Sequence, residues 1–219
     1  MQRKYYAIIL LMFIFIGVAR ANCDAKPWSV LLYTGGTAKQ TFGNVIMGRY
    51  SPFGEDLYTI ELAYTLKQDN LVRRFLNFFL FLDTAQIATN YTYRRDYRHH
   101  DHVNEGDLYL VGRLTRVPRF FGENIEFPWH NYLITTFAIG DGMSYASHPP
   151  LADQIEGLPS SDFNRLLNYL MLEVTFAMPS YPNLQLVGRI HHRCTMWGVY
   201  PKNINAGSTS VGVGIRYYF

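Results

Sequence analysis

The stretch 183–190, Asn-Leu-Gln-Leu-Val-Gly-Arg-Ile, changes its chemical character at every step. One set of alternate positions is Leu184, Leu186, Gly188 and Ile190, and the other is Asn183, Gln185, Val187 and Arg189. Successive side chains of a strand point to opposite faces, so a period of two predicts a β-strand with one apolar face. A helix would instead repeat its apolar residues every three or four positions.

The same alternation recurs along the chain and predicts an all-β fold. It runs over 58–66, 168–176 and 210–219, and further strands fit Asp107–Leu114, Asn131–Gly140 and roughly Leu80–Arg94. The segment from Trp28 to Tyr50 fits either one interrupted strand or a hairpin. Eight strands is an even number that suits 219 residues. We therefore predict an antiparallel up-and-down β-barrel whose interior is just filled by side chains.

Alternation alone does not decide which face of a barrel meets water. A soluble, lipocalin-like barrel turns its apolar residues inward, whereas a transmembrane barrel turns them outward. The strands have a length that suits a tilted membrane crossing, and their polar set contains charges such as Glu61, Glu173 and Arg189. The chain also holds 17 Tyr and 15 Phe, which suit the aromatic girdles of a membrane barrel. These features favour the transmembrane alternative.

The lengths of the connections indicate how such a barrel would be oriented. Met178–Asn183 is short and contains proline, as expected of a periplasmic turn. Asp141–Asn164 and Cys194–Ser208 are long, as expected of external loops. The chain ends in Phe219 on an amphipathic strand, which resembles the last strand of outer-membrane barrels.

Residues 1–21 have the features of a cleaved secretory signal peptide. Arg3 and Lys4 precede an apolar stretch from Ala7 to Val18, and Ala19-Arg20-Ala21 is a small-x-small cleavage pattern. The stretch is too short to span about 30 Å of hydrocarbon as an anchor, and the context of Cys23 is poor for lipid attachment. We therefore predict an exported protein whose residues 22–219 form a barrel in the bacterial outer membrane.

Composition excludes several other classes of protein. A mean hydropathy of −0.07 is too low for a multi-span helical membrane protein, and 16% aromatic residues are too many for a disordered chain. The net charge is +3, but the predicted signal peptide holds three basic residues and no acidic one. Without it the charges balance, so nothing indicates a nucleic-acid partner.

The segment 189–194, Arg-Ile-His-His-Arg-Cys, is the strongest candidate for chemistry. His192 and Cys194 share the face of Leu184 and Leu186, which would meet lipid in a transmembrane barrel. An imidazole and a thiol two residues apart on one strand face form a potential base and nucleophile. Polar groups facing hydrocarbon are costly and commonly functional. The structural alternative places both residues in the aromatic belt above the hydrocarbon.

This segment resembles the His-x-Ser motif of the outer-membrane lipid A 3-O-deacylases, with His192 at the histidine position and Cys194 at the serine position. The resemblance covers roughly residues 183–219, and Arg189, Pro201 and the Asn205-x-Gly207 turn have counterparts. It implies an eight-stranded barrel with a Ser-His-Glu triad on its lipid-facing surface. It also implies hydrolysis of an acyl ester of lipid A, without a metal or an organic cofactor.

Upstream of that segment the resemblance is general. The stretches Phe127-Pro128-Trp129 and Gly140-Asp141-Gly142 are similar to those of acyloxyacyl-hydrolase-like outer-membrane proteins.

Two departures from the family bear on activity. Cysteine replaces serine, and it remains a nucleophile only as an accessible, unoxidised thiolate. The family's acid corresponds to a place near Thr209, and no Asp or Glu follows Glu173. An orienting group must then come from another strand or be absent, which weakens a triad without abolishing it. The sequence thus leaves two functions open: a carboxylic ester hydrolase, or a non-catalytic barrel that binds envelope components or has a structural role at the cell surface.

The basic residues near the carboxyl terminus suggest a binding role. Arg193 and Lys202 are candidates for binding lipopolysaccharide phosphates, because cations near the outer rim suit such groups. In the alternative interpretation Arg189, Arg193 and Arg216 point into the barrel and pair with Glu61 or Glu173. The expected partners are outer-membrane lipid or lipopolysaccharide, and the barrel-assembly machinery during insertion. We expect a monomer or a weak homodimer.

Two further motifs are weaker. His99-His100-Asp101-His102 has the composition of a metal site, but its spacing fits no regular zinc pattern and it indicates a solvated loop. Gly212-Val213-Gly214 lies inside the predicted last strand, which argues against a nucleotide-binding loop. No metal is expected, and whether Cys23 and Cys194 pair stays open.

Overall fold

The computed structural model describes residues 26–80, 82–114, 132–154, 164–195 and 207–219. Within these residues eight antiparallel strands close into a barrel in chain order, and the first strand pairs with the last. This confirms the predicted up-and-down barrel. The predicted signal peptide lies outside the described residues.

The described parts of the connections contain two helices and a 3-10 turn. The strands are β1 Trp28–Ala38, β2 Pro52–Thr65, β3 Thr84–Asp96, β4 His102–Leu114, β5 Ile134–Ala146, β6 Leu166–Ala177, β7 Leu184–Cys194 and β8 Gly207–Tyr218. Helix α1 is Phe42–Ile46, helix α2 is Leu71–Leu80, and the 3-10 turn is Leu151–Asp153. At one end of the barrel, which we call the terminal end, Trp28 and Phe219 are hydrogen-bonded. The opposite end, the loop end, carries α1 and the 3-10 turn.

Three strand predictions need correction. The undecided region from Trp28 to Tyr50 is one strand followed by α1, not a hairpin. Leu80 ends α2, so the strand predicted from Leu80 begins only at Thr84. The prediction that a loop begins at Asp141 is wrong, because β5 continues through this residue to Ala146.

Two glycines flank Asp141 inside this strand. Gly140 and Gly142 lie beside Tyr109 of β4. A Cβ atom on Gly142 would lie 2.2 Å from the carbonyl oxygen of Leu108 and 2.6 Å from the Cβ of Tyr109. Close packing against the neighbouring strand therefore requires glycine here, which is a known role of glycine inside strands.

The outer surface of the barrel is apolar. Leu32, Ile60 and Leu108 alternate with buried neighbours, and each is 49% exposed or more. Outward aromatic rings flank this belt, with Trp28 and Tyr64 in tilted contact at the terminal end and Tyr91 and Tyr145 exposed towards the loop end. An outward apolar band between aromatic girdles is typical of a barrel that spans a membrane. In the described part of the chain, no helix has the length and hydropathy needed to cross a membrane.

The interior is filled by charged side chains arranged as ion pairs. In a lower cluster, nearer the terminal end, Glu61 and Glu173 contact Arg113, Arg189 and Arg216. In an upper cluster, nearer the loop end, Arg94 contacts Glu55 and Glu105, His191 contacts Glu105, and Arg193 contacts Asp153 of the 3-10 turn. The predicted pairing of Arg189 and Arg216 with Glu61 and Glu173 is confirmed. Buried charges need such partners.

Candidate functional site

The alternation of β7 turns His192 and Cys194 to the outside of the barrel. Both side chains are half-buried. Arg193, which lies between them, and Arg189, which precedes them, are buried inside the barrel. Two residues along a strand are roughly 6.6 Å apart, so the imidazole and the thiol are neighbours on one surface. The predicted placement of the pair on the outer face is confirmed.

The imidazole of His192 is oriented by strand β8. Its Nδ1 lies 3.0 Å from the carbonyl oxygen of Ser208 and 2.9 Å from the Oγ1 of Thr209. A carbonyl oxygen only accepts hydrogen bonds, so Nδ1 must be the donor. In the neutral ring this leaves Nε2 with its lone pair, which is the form required of a general base.

The ring of His192 is also covered from the loop end. Phe42, the first residue of α1, stacks on it with ring centroids 4.6 Å apart and an interplanar angle of 22°. An aromatic contact of this kind restricts rotation of the imidazole. Thr209 and Phe42 together therefore hold the ring in one orientation.

A second pair of polar side chains lies on the other side of Cys194. Asn168 of β6 is the direct cross-strand neighbour of Cys194. Its Nδ2 donates a 2.9 Å hydrogen bond to Oδ1 of Asp141 on β5. A continuous polar strip thus crosses four strands, from Thr209 through His192, Cys194 and Asn168 to Asp141. We call these five residues the outer polar strip.

An apolar groove borders the strip on its terminal side. It has a volume of about 660 Å³, and its outward-facing lining includes Ile139, Leu172, Val174, Ile190, Val211 and Val213. Ile190 precedes His192 by two residues on the same face of β7. The groove therefore offers an apolar surface directly beside the polar strip.

Of the two residues predicted to bind phosphate, only Arg193 is among the described residues, and it does not join this site. The Arg193 guanidinium is completely buried inside the barrel, where it donates to Asp153 at 2.6 Å and to the Arg165 carbonyl oxygen at 2.9 Å. Lys202 lies outside the described residues, as do Pro201 and Asn205 of the resemblance. Cys23 and the Phe127-Pro128-Trp129 stretch also lie outside them.

The histidine-rich segment makes separate local contacts at the loop end. His99 Nδ1 lies 3.2 Å from Asp96, and Asp101 lies 3.1 Å from Nε2 of His148. The first contact connects the turn after β3 with the end of that strand, and the second connects the same turn with the residues after β5.

A different set of residues has potential metal ligands inside the barrel. Ligand atoms of Glu105, Asp107 and His191 lie within 4.8 Å of one another. Glu105 is already 2.6 Å from Arg94 and 2.8 Å from His191. A cation would have to compete with these partners and with the nearby arginine charge, so we assign this set to the upper cluster.

Sequence reasoning missed three members of the site: Phe42, Asn168 and Asp141. Asn168 and Asp141 carried a signal, because each stands in an otherwise apolar alternating set, before Leu170 and between Ile139 and Met143. Phe42 carried none, because its contact with His192 depends on how the connection after β1 folds back.

The chain is similar to some solved structures at low sequence identity. No family model and no curated protein matches it. Among solved structures, the outer membrane enzyme PagL is similar at 11% identity and a TM-score of 0.49, over 87% of this chain and 99% of that one. Neisserial surface protein A (NspA) is similar at 12% identity and a TM-score of 0.47, over 89% of this chain and 98% of that one. The outer membrane protein Ail of Yersinia pestis is similar at 9% identity and a TM-score of 0.36, over 88% of this chain and 99% of that one. Identities this low do not carry an activity from one protein to another.

Proposed function

We propose that this chain is an outer-membrane acyl-ester hydrolase that removes a fatty acyl chain from lipid A. In this proposal His192 is the general base and Cys194 is the nucleophile. The observation that carries it is the orientation of His192, whose Nδ1 is held by Ser208 and Thr209. Nε2 is thereby left as the base on the surface that also presents the thiol.

The proposed reaction has two halves. Nε2 of His192 takes the thiol proton while the sulfur of Cys194 attacks the ester carbonyl carbon. The carbon–oxygen bond to the sugar then breaks, and the sugar oxygen receives the proton from His192. Water, activated by the same imidazole, hydrolyses the resulting thioester. The products are a free fatty acid and an underacylated lipid A.

The substitution of cysteine for serine helps to explain how the site would work without an acid. The carboxylate of a triad orients the histidine and stabilises the imidazolium that forms. Ser208 and Thr209 provide the first of these functions but, being neutral, little of the second. The pKa of a thiol is several units lower than that of an alcohol. A weaker base can therefore remove the thiol proton. The pairing of a thiol with a neutral orienting group is therefore chemically consistent.

The surroundings of the site suit a lipid substrate. The apolar groove beside Ile190 can receive an acyl chain, and the outward position of Cys194 allows entry sideways from the leaflet. We propose the bacterial outer membrane as the location, with insertion by the barrel-assembly machinery. We further propose a monomer or weak homodimer, with Lys202 contacting lipopolysaccharide phosphates.

One observation favours a second candidate, a non-catalytic barrel that binds envelope components or supports the surface. Among the described residues no carboxylate is hydrogen-bonded to His192, and the ring of Phe42 lies against the imidazole. Such a site would bind lipid without turning it over.

An assay on purified protein separates the two candidates. The full barrel in detergent micelles is incubated with lipopolysaccharide, and released fatty acid is measured by mass spectrometry. We expect release by the native protein, none by His192→Ala, and native release by His102→Ala, which alters an outward histidine on another strand. No release by the native protein or by Cys194→Ser, with or without Thr209→Glu, would contradict the enzymatic proposal and favour the binding barrel.

A further inference from the structure

Asp141 is an ionisable side chain surrounded by apolar ones. Its carboxylate is on the outer face of β5, between Ile139 and Met143 along the strand. Its cross-strand neighbours are Leu110 of β4 and Leu170 of β6. A carboxylate among lipid-facing side chains lowers the stability of a barrel, so its presence calls for an explanation beyond folding.

The hydrogen bond to Asn168 connects this carboxylate to the cross-strand neighbour of Cys194. Asn168 is only 6% exposed, and its Nδ2 donates to Asp141 at 2.9 Å. An amide nitrogen carries two hydrogens, and Asp141 accepts one of them. Because Asn168 is the direct neighbour of Cys194 across the β6–β7 ladder, the second hydrogen can serve an acceptor beside the sulfur.

We propose that Asn168 donates the hydrogen bond that stabilises the oxyanion formed when Cys194 attacks an acyl ester, and that Asp141 is a positioning residue that holds the amide. This inference rests on the proposed function and adds a residue to it. As the carbon–sulfur bond forms, the carbonyl electron pair moves onto oxygen, and in this proposal the amide of Asn168 donates a hydrogen bond to that oxygen. When the intermediate collapses, the pair returns to the carbonyl and the leaving oxygen takes its proton from His192.

The geometry divides the outer polar strip into two halves with different tasks. On the β8 side, Thr209 orients His192, which accepts and returns the proton. On the β5 side, Asp141 orients Asn168, which stabilises the negative charge on the oxyanion. A donor fixed before the reaction, in surroundings that exclude water, is worth far more than the same donor in water. Burial of Asn168 against an apolar surface satisfies that condition.

The test uses the full-length barrel in micelles with p-nitrophenyl myristate and two variants. We expect Asn168→Ala to lower kcat about 100-fold, the size of effect seen on loss of one oxyanion donor, with little change in KM. Asn104→Ala is the matched control, because Asn104 is also an outward asparagine bonded to a neighbouring side chain, the Tyr91 hydroxyl. It should leave kcat unchanged.

The second variant, Asp141→Leu, separates positioning from structure. It removes a charge from an apolar surface, so we expect the barrel to resist urea better while kcat falls roughly 10-fold. A residue with a structural role only would instead give lower stability, or unchanged kcat.

Alkylation of Cys194 by iodoacetamide provides the control for the thiol itself. This displacement forms no oxyanion, so its rate should be the same in native protein and in Asn168→Ala, whereas acylation by the ester should slow. Native turnover with unchanged kcat in Asn168→Ala would overturn the inference and leave the proposed function intact. No acylation of the native protein would overturn both.

Discussion

The inside and the outside of this barrel both carry polar side chains, but for different reasons. Inside, Glu173 contacts Arg113 and Arg189 at 2.7 and 2.6 Å and also pairs with Arg216. Outside, the outer polar strip lies next to exposed apolar side chains such as Ile139 and Met143. Its members bond to amide, hydroxyl and carbonyl groups instead of opposite charges.

The difference indicates which polar residues serve folding and which serve chemistry. A narrow barrel must fill its interior, and charges there are tolerated because they compensate one another. No such requirement applies to a surface that meets lipid, where Leu or Val would be favourable. Polar groups that persist on the outer face, brought together from four strands, therefore point to a function.

The largest effect that we expect comes from the interior. Glu173→Ala leaves three buried arginines without their shared partner, and breaking a buried ion pair costs about 3–5 kcal/mol. Urea unfolding in detergent micelles, followed by the mobility shift of the barrel on gels, measures the loss. The matched change outside is Asp141→Leu, which also removes an acid. It should raise the urea concentration at the midpoint of unfolding, because it removes a carboxylate from an apolar surface. Equal effects of the two variants would erase the distinction between the two regions.

Removal of the base should have the largest effect on activity and only a small effect on the stability of the barrel. We expect His192→Ala to lower kcat by about three orders of magnitude, because loss of one triad member leaves only binding and oxyanion stabilisation. The free energy of unfolding should fall by about 1 kcal/mol, the value of the lost ring contact with Phe42. A large loss of stability in this variant would show that His192 is structural, like the residues inside.

Changes at Thr209 test whether the site lacks an acid. Thr209→Glu places a carboxylate at the residue that contacts Nδ1 of His192, and it should raise kcat about 10-fold by stabilising the imidazolium. Thr209→Val keeps the shape but removes one acceptor, so kcat should fall a few-fold, the effect of about one net hydrogen bond. A fall in kcat with Glu would argue against the assignment of His192 as the base.

The smallest effect should come from the ring that covers the histidine. Phe42→Ala removes an aromatic contact worth about 0.5–1.5 kcal/mol and lets the imidazole rotate. We expect kcat to fall about threefold and the free energy of unfolding to fall by about 1 kcal/mol. Phe53→Ala, which alters a ring at the start of β2 that contacts the Arg98 guanidinium instead, is the control. A rise in activity would show that Phe42 blocks the site and would favour the binding barrel.

The sequence was informative wherever the period of two was regular. It predicted the strand of Leu184 to Ile190, the outward placement of His192 and Cys194, and the pairing of Arg189 with acids inside. It failed at Asp141, where a long external loop was expected to begin and where Gly140 and Gly142 instead lie inside β5. Contacts with Tyr109 on another strand require those glycines, and such contacts are not visible in a local pattern.

The same limit explains what the sequence did not predict about the site. The bond from Asn168 to Asp141 depends on the register between β5 and β6, and the position of Phe42 depends on a short helix. The assignment of Arg193 to phosphate binding required an outward side chain, whereas its position in the alternation turns it towards Asp153. Register and loop conformation arise from the closed barrel as a whole.

The central claim is that the outer polar strip is a hydrolytic site, and lipid A mass spectrometry tests it most directly. Lipid A would be extracted from cells that express the native protein or His192→Ala, each confirmed as a folded barrel in the outer membrane. We expect lipid A that lacks one acyl chain in the native strain and complete lipid A in the variant. Identical lipid A in the two strains would contradict the claim and leave a binding or structural barrel.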